Sequence, residues 1–203
     1  MMLYFLVSIR LLRTIIQIES SQNKKFPWSD KLDDEAETIF KKTYPAIYAH
    51  FYKLKNRLLK RDDQGKYYWE LRYCTYWKEF QGPKIIYPNI CMRNEFAWDE
   101  NGYFTNQKAF IITGATKYLL GVLNSTVIMW LFTKLLARLQ NDYYEPSAVF
   151  LKYFPIPATE DQSEIIRLTS EILCLKENDT ECVDLETRLD AHVAHLYNLT
   201  AAE

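Results

Sequence analysis

Glycine is scarce, with five in 203 residues, and no two of them stand as G-x-G. Loops that wrap a nucleotide or S-adenosylmethionine need such glycines, because the backbone has to approach the ligand closely. The sequence also lacks a P-loop and a G-x-S-x-G nucleophile turn. No Asn/Asp-Pro-Pro-Tyr/Phe tetrapeptide occurs to hold a flipped adenine by its amine while a ring stacks on it. No lysine has an acidic residue two positions before it, so the carboxylate–lysine pair of the common metal-dependent nucleases is missing. The four cysteines, Cys74, Cys91, Cys174 and Cys182, include no C-x-x-C and no zinc-finger spacing. Reduced thiols in a cytoplasmic protein are expected.

Histidine is rarer still, with three. His192 and His195 stand i and i+3 on one helix, a spacing that lets two imidazoles share a metal; such a pair on a surface helix is expected to be inert. His50 falls on the apolar side of a basic helix and is expected to be a hydrogen-bonded core residue. Asp62, Asp63 and Glu70 resemble a carboxylate cluster, but a helix-ending turn accounts for the first two. Uninterrupted apolar runs are lacking as well. Met1 to Ile18 carries Arg10 and Arg13 within it, unlike a signal peptide, and Tyr118 to Leu136 carries Asn124, Ser125, Thr126 and Lys134. A bilayer span of about 20 residues tolerates these poorly. A buried helix and no membrane association are expected.

The composition is that of an ordinary globular chain, 48% apolar and 25% charged, long enough for one or two domains with a core. Aromatic residues are plentiful at 15%, fifteen of them Tyr. The net charge of −1 conceals two opposed segments. Between Lys41 and Asn94 twelve Lys and Arg face four Asp and Glu, a net +8. Between Ala158 and Glu203 three face eleven, a net −8. The first segment suits a polyanion and the second would be repelled by one; two solvated faces of opposite sign are the plainer alternative.

The expected elements begin with a helix over residues 2–18 and a polar connector over 19–30. Thr43 is a plausible cap for a helix entered through Pro45. In it Ile47, His50, Phe51, Leu54 and Leu58 recur at helical spacing, opposite Lys53, Lys55, Arg57, Lys60 and Arg61. Strands are expected at Lys84–Tyr87 and Ala109–Thr113. A hairpin is expected between Phe96–Trp98 and Tyr103–Phe104 around Asn101-Gly102. Thr116 opens a long apolar helix to about Leu139, Ala148 to Phe154 reads as a strand, and helices follow over 161–176 and 181–197. In these two helices Ile165, Leu168, Ile172 and Leu175, and Leu185, Leu189, Val193 and Leu196, are spaced to pair as a hairpin. The fold class is α+β: a small mixed or antiparallel sheet with a central long helix, followed by a C-terminal helical hairpin.

Several ordered runs resemble one family. They include Tyr44-Pro45-Ala46-Ile47-Tyr48, Leu58-Leu59-Lys60-Arg61, Asp63-Gln64-Gly65-Lys66, Trp69-Glu70-Leu71-Arg72, Tyr76-Trp77 and Pro83 to Pro88. Arg93 to Ala97, Gly102 to Asn106, Tyr118 to Ser125, Phe154 to Pro157 and the ending Leu185–Asp190 and Leu196–Thr200 continue them. Together they are similar to the TaqI-like C-terminal specificity domain, the target-recognition region of type IIG restriction–modification enzymes and adenine-specific DNA methyltransferases, over about residues 43–203. The resemblance implies three parts. Residues 1–40 are an unmatched helix and linker, 41–157 a DNA target-recognition domain, and 158–203 a C-terminal helix pair.

The resemblance further implies double-stranded DNA as partner, together with a methyltransferase domain or chain. No catalytic residue, metal or cofactor is expected in this chain. S-adenosylmethionine is expected in the catalytic domain of an intact enzyme, and residues 1–40 do not resemble that domain. Recognition needs cations for phosphates and polar groups for base edges. The candidates are Lys53, Arg57, Lys60, Arg61, Lys66, Arg72, Lys84, Arg93, Asn94, Asn106 and Gln107. Trp69, Tyr76, Trp77 and Trp98 are expected to pack rather than stack on bases, and Asn124 to bond a buried loop. The competing expectation is a truncated remnant or interaction module, whose acidic helix pair binds a partner chain without DNA recognition.

Overall fold

The computed structural model describes residues 15–199. Most of the helix expected over 2–18 lies outside the described residues, and 15–18 are not helical. The described residues form two compact units, 15–77 and 78–199.

In the first unit α1 (Asp33–Thr43) carries Asp33, Asp34 and Glu35 in its first turn and Lys41 and Lys42 in its last, the polarity that complements a helix dipole. Only Ala36 and Phe40 of α1 are buried. Thr43 does not cap the next helix: it ends α1, and its hydroxyl donates to the Ile39 carbonyl at 2.8 Å. Helix α2 (Pro45–Tyr52) starts with proline, whose missing N–H costs nothing there. The basic helix expected to run on from α2 breaks after Tyr52 and resumes as the single turn α3 (Lys55–Leu58). His50 is exposed, not a core residue; the apolar contacts of α2 and α3 come from Ile47, Tyr48, Phe51 and Leu58.

An aromatic cluster holds this unit together. Phe40 stacks on Trp69 with ring centroids 4.7 Å apart, and Trp28 meets Phe40 edge-on at 5.4 Å. Beneath them the fully buried Glu70 accepts from the Trp28 indole N–H at 3.0 Å and from the Ser21 and Lys66 backbone N–H groups, both at 3.1 Å. The Ser21 hydroxyl is a further donor. Glu70 is thus a structural acceptor, remote in role from the exposed Asp62 and Asp63. Gly65 is required beside it, because a Cβ there would stand 2.6 Å from the Glu70 Cβ.

In the second unit β1 (Lys84–Pro88) lies between β2 (Ala97–Asp99) and β3 (Ala109–Thr113), antiparallel to both. The expected partner of β2 was Tyr103–Phe104, but β2 pairs with β1, placing Ile85 opposite Trp98. The reason is local. Asp99 accepts the Asn101 and Tyr103 N–H groups at 2.9 and 3.0 Å, and Gly102 takes a left-handed φ of 76°, so the chain turns without forming a second ladder.

The long helix expected from Thr116 is two helices, α4 (Lys117–Leu123) and α5 (Thr126–Leu135), bent by 60°. Each has its own cap: Thr116 accepts from the Leu119 N–H at 3.2 Å and Ser125 from the Ile128 N–H at 3.3 Å. Between them the Asn124 amide leaves the helix to pair with the Phe96 backbone. Among the described residues no single helix is long and apolar enough to cross a membrane. The bent pair has that length and composition only together, and its Leu120, Val122, Ile128 and Phe132 belong to the core.

Ala148–Leu151 is a helical turn, α6, rather than a strand. The Ser147 carbonyl accepts from Phe150 and Leu151, both at 3.0 Å, which closes the backbone on itself. The terminal helices α7 (Ser163–Glu177) and α8 (Val183–Leu196) pair as expected, burying Ile165, Leu168, Ile172, Leu189 and Val193. Gly121 lets α4 lie against α7: a Cβ there would clash with the Thr169 hydroxyl and stand 3.0 Å from Ile165. Lys176 and the buried Glu186 bridge α7 to α8 at 2.6 Å.

Candidate nucleic-acid interface

From Lys41 to Arg61 there are seven Lys and Arg and no acidic residue. The run occupies the end of α1, α2 and α3 in the first unit. Lys41, Lys42, Lys53, Arg57 and Lys60 are exposed. Lys53, Arg57 and Lys60 are spaced i, i+4, i+7 along α3 and its flanks. The exposed rings of Tyr44 and Tyr52 share the same run. Cations and rings together suit a phosphate backbone and the sugars beside it.

Two cations of the run are otherwise engaged. The Lys55 ammonium pairs with Glu37 at 2.7 Å and lies 5.0 Å from the Tyr68 ring centre. Its hydrogen bond to Glu37 outweighs desolvation and raises its pKa. Arg61 donates to the Tyr68 and Glu70 carbonyls, both at 2.8 Å, and burial lowers its pKa. It fastens the chain that follows α3 and presents no free guanidinium. Glu37 also accepts from the Tyr68 hydroxyl at 3.0 Å; burial first, then this bond, raises the phenol's pKa.

The remaining candidates divide sharply. Lys66 is exposed, with its ammonium on the Ser29 and Lys31 carbonyls at 3.1 and 3.3 Å. Arg72 is exposed, 3.7 Å from Asp63. In the second unit Arg93 is half-buried, and Asn106 and Gln107 are exposed in the loop before β3. The Asn106 side chain accepts the Lys108 N–H at 2.9 Å, which shapes that loop.

Lys84 and Asn94 do not reach the surface. Lys84 is 0% exposed, paired with Asp99 and donating to the Phe80 carbonyl at 2.5 Å. A charge sealed in this way cannot neutralise a phosphate. Asn94 is 7% exposed and donates to the Leu123 and Ser125 carbonyls at 2.9 and 2.8 Å, closing the end of α4. Both are corrections to the sequence-based site, and both have the same cause: a polar side chain consumed by a buried partner far away in sequence.

Trp69 is buried, as expected of a packing ring, whereas Tyr76 is exposed and Trp77 and Trp98 are half-buried. The Trp98 indole donates to Glu100 at 2.9 Å. Asn124 bonds the buried Phe96 backbone, as expected. Lys41, Lys42 and Lys108 are exposed cations left out of the sequence-based site; the charge count alone was enough to find the first two. His192 and His195 are both exposed on α8, with His192 3.8 Å from Glu164. Among the described residues no three His, Cys, Asp or Glu side chains are grouped to hold a metal ion.

Residues 37–156 match the model of the TaqI-like C-terminal specificity domain, and the chain belongs to that family. Membership supports a DNA-recognition role in restriction–modification systems. The match contains the whole cationic run, the sheet, α4, α5 and α6, and ends before the α7–α8 pair. No curated protein matches the chain.

Proposed function

We propose that this chain is the sequence-recognition module of a type IIG restriction–modification system, binding duplex DNA and orienting it for an adenine-N6 methyltransferase or endonuclease. The observation that carries this reading is the cationic run from Lys41 to Arg61, without an acidic residue in sequence and with Lys41, Lys42, Lys53, Arg57 and Lys60 exposed, which lies inside the family match. Lys53, Arg57, Lys60, Lys66 and Arg72 supply phosphate contacts. Arg93, Asn106 and Gln107 supply polar groups for base edges, since arginine pairs with guanine and the carboxamides with adenine. Methyl transfer and S-adenosylmethionine binding belong to a catalytic domain or partner chain outside these residues. The acidic α7–α8 pair, unsuited to a polyanion, faces that partner.

Selection of bound sequences from a randomised duplex library, at two salt concentrations, tests the proposal. An enriched motif is the expected result. Weak binding that vanishes with salt and enriches nothing would leave only a basic surface.

A further inference from the structure

The segment between α5 and α6 contains a tight turn flanked by the antiparallel bridge of Arg138 and Tyr144. Asn141 and Asp142 are consecutive and both left-handed, with φ of 60° and 63°. Asparagine and aspartate are the L-residues that tolerate this region best, and two left-handed residues in succession are what a tight hairpin turn requires. Contacts at its base hold it. The Leu139 N–H donates to the Tyr143 carbonyl at 2.7 Å, and Arg138 bridges to Asp142 at 2.5 Å. Buried Tyr144 pairs with Cys91 through both backbone groups, at 2.7 and 3.1 Å. The turn is therefore tied at its base, through Tyr144, to the core of its unit.

Its tip is polar and unpartnered. Gln140 and Asn141 are exposed, and neither carboxamide has a hydrogen-bond partner among the described residues. From Gly102 to Pro157 five Lys and Arg face only Asp142 and Glu145, and the Asp142 charge is answered by Arg138. This stretch is thus compatible with DNA, unlike the acidic helices after it.

We propose that the turn 139–143 is a base-reading finger, with the Gln140 and Asn141 carboxamides contacting an adenine edge in the major groove. The inference rests on the DNA-recognition reading and adds to it contacts beyond those of Asn106 and Gln107. The chemistry fits: a carboxamide presents a donor and an acceptor side by side, matching adenine N7 and N6, and the major groove admits a narrow two-stranded projection. A fixed projection also loses little freedom on binding. Glycine would hold the left-handed position more easily than asparagine, so asparagine there retains an amide at the expense of strain.

That difference supplies the test. In the full chain, Asn141→Gly keeps the turn and removes the amide, and Gln140→Ala removes the other. Each variant is compared with the parent by selection from the randomised duplex library, by binding to a non-specific duplex at low salt, and by thermal unfolding. Each is expected to unfold at or above the parental midpoint and to bind the non-specific duplex equally well. Each loses about tenfold of the preference at one A·T position. If both variants select the parental motif with undiminished strength, the finger is overturned. If the parent selects no motif although its non-specific binding stays salt-dependent, the base-recognition reading fails, and this inference fails with it.

Discussion

Asn124 pairs with Phe96 as a strand would. Its Oδ1 accepts the Phe96 N–H at 3.1 Å and its Nδ2 donates to the Phe96 carbonyl at 2.9 Å. One side chain thereby satisfies both buried backbone groups of the residue before β2 and interrupts the helix that carries it. Replacing it with leucine leaves both groups unpaired in the core, at a cost of about 2–4 kcal/mol. Asn124→Leu is expected to lower the urea midpoint accordingly. An unchanged midpoint would mean that this pairing does not stabilise the fold.

The contact of α4 with α7 depends on Gly121 having no side chain. Gly121→Ala forces its Cβ onto Thr169 and Ile165, and overpacking of this kind costs about 1–3 kcal/mol. The Thr169 hydroxyl is buried without a hydrogen-bond partner, so Thr169→Ala alone should be close to neutral and should restore part of the loss in the double variant. Thermal unfolding of the two single variants and the double variant measures that coupling. Purely additive losses would contradict the assigned clash.

Lys84 and Asp99 form a buried pair at the start of β1 and the end of β2. Lys84→Met leaves a carboxylate buried without its cation, which costs about 3–5 kcal/mol. The folded fraction of this variant should show the same salt dependence of DNA binding as the parent. A flatter salt dependence would return Lys84 to the interface.

Lys53, Arg57 and Lys60 should behave in the opposite way. Each phosphate contact contributes about −0.9 to the slope of log affinity against log salt. The triple alanine variant should therefore flatten that slope by about 2.7, with little change in unfolding. Unaltered DNA binding would favour an interaction module over a recognition module.

Thiol chemistry separates surface from core. Burial, reinforced by Glu95, pushes the Cys91 thiol up to about 12, and burial likewise raises that of Cys182. At pH 8 both remain protonated, and only a thiolate attacks a disulfide reagent. Cys174 is exposed, and Cys74, Cys91 and Cys182 are buried. The native chain should show one fast thiol, and unfolding should release the other three.

The parts legible in the sequence are those whose pattern is dense. The α7–α8 pair declares itself through apolar residues at 3/4 spacing, β1 through Ile85-Ile86-Tyr87, and the family through many short runs in one order. Helix α1 is illegible because only Ala36, Ile39 and Phe40 of its eleven residues meet a core, a single turn's worth and too few to mark a period. The single helix expected from Thr116 follows from apolar content that continues across the break; Ser125 caps α5 locally, while the part of Asn124 depends on Phe96 lying opposite. Lys84 and Asn94 look like surface residues until the β1–β2 register and the end of α4 show what they touch. Long-range pairing, not composition, decides such residues.

The acceptor role of Glu70 also bears on how the first unit comes into being. Its donors Ser21 and Trp28 lie 49 and 42 residues upstream. During synthesis Ser21, Trp28 and Phe40 are complete long before Glu70 leaves the ribosome. Closing so long a loop is slow compared with forming helices, and its entropy is spent before the contact rewards it. The unit therefore cannot mature progressively from its early residues. It waits for the segment of Tyr67, Tyr68, Trp69 and Glu70, and a chain cut short of it is expected to lack a finished core.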